Sequence, residues 1–76
     1  MKSDQFQVML NGVELARKPH PMHAVNVAQV MACNVYKDPV MLQVVRKPVI
    51  GPASILYRID RDEHGTVYTT TVSLED

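Results

Sequence analysis

Only one stretch of this chain repeats its apolar residues at helical spacing, and that bounds what the chain can fold into. At about 100° per residue from Met22, the residues Ala24, Val27, Ala28, Met31, Ala32 and Val35 share one broad face, with His23, Asn26, Cys33, Asn34 and Lys37 opposite. Pro21 suits a first helical turn, where its missing N–H would lack a partner in any case, and Pro39 forces Asp38 out of helical geometry. The spacing therefore predicts a helix over Pro21 to Tyr36. Val25, Val27, Val30, Val35, Asn26 and Asn34 each cost roughly half a kcal/mol against Ala, so that helix depends on tertiary contacts. A competing reading takes Val25, Val27 and Gln29 as an alternating strand. With a single helix, any sheet built by the rest of the chain has one face covered and one face open.

The remaining segments alternate. Phe6, Val8 and Leu10 lie on one side of Gln5 to Leu10, and Asn11-Gly12 follows, the dipeptide favoured where both turn residues need positive φ. A two-residue turn sets Leu10 against Val13, Val8 against Leu15 and Phe6 against Arg17. Val40 to Lys47 reads as a third strand, with Val40, Leu42 and Val44 on one side and Met41, Gln43 and Val45 on the other. Pro48 to Ala53 reads as a loop carrying the apolar pair Val49-Ile50. Ile55 to Arg61 and Thr66 to Leu74 read as a second hairpin closed by the four residues Asp62, Glu63, His64 and Gly65, which would set Ile59 against Tyr68, Tyr57 against Thr70 and Ile55 against Val72. A three-residue loop would place Tyr68 beside Asp60 and split the apolar set. The expected fold is a single small α+β domain over residues 1–76, in ββαβββ order, with a four- or five-stranded, mostly antiparallel sheet and one helix on one face. The expected helix-facing core is Phe6, Val8, Leu10, Val13, Leu15, Val40, Leu42, Val44, Ile55, Tyr57, Ile59, Tyr68 and Val72.

Composition narrows the function classes. A chain of 76 residues buries roughly 60% of its unfolded surface and has room for one core. No apolar run approaches the ~20 residues that span a bilayer, and Met1-Lys2-Ser3-Asp4 lacks a signal-peptide core, so a soluble cytoplasmic protein with no membrane association is the expectation. Cys33 is the only cysteine, which excludes an internal disulfide. Net charge is zero but uneven: residues 1–58 carry seven Lys/Arg against three Asp/Glu, and residues 59–76 carry one against five. Bulk adhesion to nucleic acid normally needs a net basic excess, so only a local basic patch is open to this chain.

Two surface features stand out. By the registers above, Met9, Met41, Val45, Leu56 and Val67 point to the helix-free face, with Arg58 and several Gln and Thr residues among them. An open sheet face in a monomer is normally polar, so an apolar, Met-rich one points to a protein partner or a homodimer. The competing reading is ordinary scatter of apolar surface. The second feature is a doubled tripeptide, Arg17-Lys18-Pro19 and Arg46-Lys47-Pro48, at the ends of two strands that a helical crossover makes parallel. Four cations would converge there on phosphates or an acidic partner, unless they merely solubilise the strand ends. The four aromatic residues offer no stacking platform when three of them are assigned to the core, which ranks nucleic-acid binding second.

Other residues carry less. His20 and His23 flank Met22 at a helix start, but no further ligands follow at metal-binding spacing, so no metal or cofactor is expected; His20 reads as an N-cap. Cys33 has no acid or base at adjacent helical positions. Asp60, Asp62 and Glu63 lack the ordered oxygen spacing of a calcium loop and read as a solvated turn. No catalytic residues are expected in so small a domain.

The small size, poverty of motifs and hairpin-helix-sheet order look like those of accessory proteins from phages and other mobile elements. That resemblance rests on the whole chain and on no specific motif. It implies non-catalytic action by binding and occluding a cellular complex. A β-grasp arrangement is similar in element order, but the added terminal hairpin departs from it.

Overall fold

A computed structural model describes residues 4–35 and 37–72. Strand β1 (Gln5–Leu10) and strand β2 (Val13–Lys18) form the first hairpin, followed by helix α1 (Pro21–Asn34) and strands β3 (Val40–Lys47), β4 (Ser54–Arg61) and β5 (Val67–Thr71). The five strands make one sheet in the order β2-β1-β3-β4-β5, with every neighbouring pair antiparallel. The chain is thus the small α+β domain that its sequence pattern predicts. The far ends of the expected helix and last strand, Tyr36 and Leu74, lie outside the described residues.

At the first turn Asn11 and Gly12 take φ of 51° and 80°, the two positive values a type I′ turn requires, and Leu10 pairs with Val13. The expected register then breaks. A bulge between Val8 and Met9 shifts the partners, so Val8 faces Ala16 and Phe6 faces Lys18 rather than Arg17. The extra residue lets Leu15 and Ala16 both pack on the core, which strict alternation forbids.

The second hairpin closes on three residues, not four. Asp60 faces Tyr68, Ile59 faces Thr69 and Tyr57 faces Thr71. The Asp62 N–H donates to the Thr66 carbonyl at 3.0 Å and the Gly65 N–H to the Asp62 carbonyl at 3.1 Å, with Gly65 at φ 83°. This is a type I turn followed by a left-handed residue. The Asp62 carboxylate also accepts from the backbone N–H groups of His64 and Thr66, both at 2.9 Å. Those bonds outweigh the cross-strand apolar match that favours a longer loop.

The core lies between α1 and one sheet face. Val8, Leu42, Val44 and Ile59 are its largest fully buried side chains, and Ala24, Ala28 and Ala32 are buried beneath the helix. Phe6, Leu10, Leu15, Val40, Tyr57 and Val67 close its margins. Alanine methyl groups on the buried stripe let the helix backbone come close to the sheet side chains Val8, Leu42, Val44 and Ile59. The buried stripe of α1 also includes Val25, while Val35, expected on the covered face, is exposed. Four other residues assigned to the core are exposed: Val13, Ile55, Tyr68 and Val72. For Tyr68 the cause is the shortened loop, which moves it to the opposite face.

Candidate functional site

Alternation from the buried residues sets the composition of the face without a helix. Gln5, Gln7 and Met9 of β1, Met41, Gln43, Val45 and Lys47 of β3, Arg58 and Asp60 of β4, and Tyr68 and Thr70 of β5 share it. A second bulge, between Val44 and Val45, pairs Val45 with Ile55 and leaves Leu56 as the extra residue. Leu56 is half-buried and stands apart from the residues packed on the helix-side core. Of the side chains predicted here, Met9, Met41, Val45 and Arg58 lie on this face by register. Val67 does not: it pairs with Arg61, shares the face of Val40, and packs on the core beneath the helix. Ile55 and Tyr68 replace it in the open cluster.

The apolar members form two groups. Val45, Ile55 and Leu56 meet at the bulge, near the end of the sheet where β3 leaves and β4 enters. Met41 and Tyr68 flank Asp60 in a row at the other end. Two ion pairs neutralise most of the charge on this face. The Arg58 Nε donates to Asp60 at 2.9 Å. The Arg17 guanidinium holds Glu14 through bonds of 3.0 and 2.8 Å, and the Gln7 amide donates to the same carboxylate. These bonds, from Arg17 first and Gln7 second, hold the Glu14 carboxyl below its ordinary range. Paired charges cost less to cover than free ones, so a partner closing over this face has, among the described residues, only Lys47, at the end of β3, left to match.

The two basic tripeptides do reach one end of the sheet. Phe6 of β1 lies between Lys18 of β2 and Arg46 of β3, and Gln5 faces Lys47. The four cations do not form one patch, however. The bulge in β2 turns Arg17 to the open face and Lys18 to the helix face. Arg46 is bound to Asp4 at 2.7 Å, and Asp4 also accepts the Val49 N–H at 3.3 Å. The Asp4 carboxyl is held below its ordinary range by Arg46 and then by that backbone bond. Lys18 and Lys47 are left without an ion-pair partner among the described residues.

Beyond these, His20 and His23 stack edge to face with ring centroids 5.3 Å apart. Among the described residues no three His, Cys, Asp or Glu side chains converge as metal ligands. Cys33 is exposed on the outer flank of α1. The Val49-Ile50 loop projects fully, with Ile50 89% exposed.

Sequence reasoning missed Arg61. It lies on the helix-side face between Val40 and Val67, and its Nε and Nη1 are buried without a hydrogen-bond partner. The signal lay in the alternation of β4, where Tyr57, Ile59 and Arg61 necessarily share a face.

Among the described residues no helix is long and apolar enough to cross a membrane. No family model, no curated protein and no solved structure matches the chain.

Proposed function

We propose that this chain is a non-enzymatic protein-interaction module that docks another protein on the helix-free face of its sheet. The observation that supports this is the pairing of apolar and neutralised polar side chains on an uncovered face: Met41, Val45, Ile55 and Tyr68 stand beside the Arg58–Asp60 and Arg17–Glu14 pairs. In outline it fits the mode of action implied by the resemblance to phage and mobile-element accessory proteins, occlusion of a surface on a cellular complex.

Met41 is 43% exposed, so a carboxylate there leaves the core untouched while opposing docking. Met41→Asp should lower affinity for the partner at least about tenfold, the loss expected for a central apolar anchor, while costing no more than about 1 kcal/mol of stability from the like charge of Asp60 across the strand pair. Quantitative affinity capture from the native host, comparing wild type, Met41→Asp and the helix-surface control Val30→Asp, measures this. A partner retained equally by all three would remove the face from consideration.

Nucleic-acid binding is the second reading, favoured by Lys18 and Lys47 at one sheet end. Retention of DNA or RNA in a low-salt mobility-shift assay, lost in Lys18→Ala/Lys47→Ala, would put it first.

A further inference from the structure

The two edges of the sheet are built differently. On β2 the outer strand is bulged at Leu15, carries the Glu14–Arg17 pair, ends in Lys18 and is stopped by Pro19, all devices that discourage pairing with another chain. Strand β5, Val67–Thr71, reads VYTTT: it has no charge, proline, glycine or bulge. Its residue types are among those most enriched in strands. Helix α1 lies chiefly over β1, β3 and β4 and touches β5 through the Gln29 amide, which donates to the Thr69 hydroxyl at 2.8 Å, so among the described residues nothing covers the outer backbone edge of β5.

The ladder shows which backbone groups that edge offers. Asp62 donates to the carbonyl of Thr66, and Val72 donates to the carbonyl of Leu56 at 2.8 Å, so even-numbered residues direct their N–H and C=O toward β4. By the same alternation, Val67, Thr69 and Thr71 direct theirs outward.

We infer that β5 pairs with β5 of a second copy of this chain, antiparallel about a two-fold axis at Thr69, joining the two sheets into one. In that register Thr69 faces its own copy and Val67 faces Thr71 of the other chain. All three outward residues of each strand are then satisfied, giving about six hydrogen bonds. On the open face Tyr68 lies across from Thr70 of the other copy. No charged side chain meets another, so self-pairing meets no electrostatic opposition, and an isologous pair leaves as edges only the two β2 strands, which are built to discourage further growth. The second copy is favoured over a foreign strand because this register uses the whole strand and pairs each outward group.

The test is sedimentation equilibrium on the full chain from low to high micromolar concentration, with far-UV circular dichroism to show that each variant folds. Wild type and Thr69→Ser should form dimers. Thr69→Lys alone and Thr69→Glu alone should each weaken association at least about tenfold, because like charges then stand directly opposite each other. Mixing the two variants should restore the dimer, since residue 69 of one copy faces residue 69 of the other. A wild type that stays monomeric throughout overturns the inference, as does undiminished dimerisation of Thr69→Lys or failure of the mixture to recover. Dimerisation lost in Met41→Asp but retained in Thr69→Lys would place the second copy on the open face and also overturn it.

Discussion

Single residues decide more of this structure than their burial suggests, and Asp62 is the clearest case. Its carboxylate accepts from Thr66, His64 and the Tyr68 hydroxyl, and those bonds hold its carboxyl below the ordinary range. Asp4 and Glu14 are depressed likewise by their Arg partners. A carboxylate with a depressed folded pKa contributes stability that is complete above its unfolded pKa and is lost as pH falls through the folded value, so stability should decline below about pH 4. Asp62→Ala should lower the urea midpoint more at about pH 7 than at about pH 3, the gap from wild type narrowing as the carboxylate is protonated. An equal loss at both pH values would show that the charge is irrelevant. Arg61 makes the opposite case. Its two buried, unbonded nitrogens, Nε and Nη1, are a desolvation cost with no return, while its methylenes fill space between Val40 and Val67. Arg61→Met keeps the methylenes and should raise stability by about 1 kcal/mol in urea unfolding; a fall would mean that the guanidinium has a favourable role.

At the scale of elements, the strands and the helix were legible because period and punctuation agree. Asn11-Gly12 marks the first turn, Pro21 and Pro39 bracket the helix, and Val40, Leu42 and Val44 alternate without interruption. What could not be read was register. Leu15 and Leu56 are each one extra residue in a ladder, and a bulge leaves no mark on an apolar pattern that tolerates either face. In the second hairpin the apolar match between Ile59 and Tyr68 points to a four-residue loop, whereas the turn chemistry at Asp62 and Gly65 sets three. Val67, expected on the open face, moves with it to the core, and Tyr68, expected in the core, moves to the open face. The helix start is another place where sequence and structure diverge in a testable way. His20 occupies the N-cap with extended backbone (φ −126°, ψ 140°), yet its side chain makes no capping bond and the first turn has no acidic residue. His20→Asp supplies both an acceptor for the free N–H groups and a charge suited to the helix dipole, and should add about 1 kcal/mol to stability in thermal or urea unfolding. No gain would mean that the backbone there cannot present an acceptor.

The molecule as a whole is held by its middle. The largest fully buried side chains, Val8, Leu42, Val44 and Ile59, come from β1, β3 and β4, and none from β2 or β5. Edge strands that contribute only marginal packing should open without unfolding the centre, which is also what makes an edge available for pairing. Native-state hydrogen exchange at low protein concentration should therefore show a gradient. Amides of β3 should exchange only by global unfolding, whereas the bonded amides of β5, those of Tyr68 and Thr70, should exchange through local opening at a free energy about 2 kcal/mol or more below the global value. Leu42→Ala, which empties a fully buried site on β3, should cost about 2–5 kcal/mol and lower the β3 protection by that amount. In so small a domain that is a large part of the total stability. The β5 amides should change much less, because their local opening already leaves the Leu42 contacts intact. If β3 and β5 lost protection equally, the sheet would be one cooperative unit, and β5 would have to pair with its full structure in place.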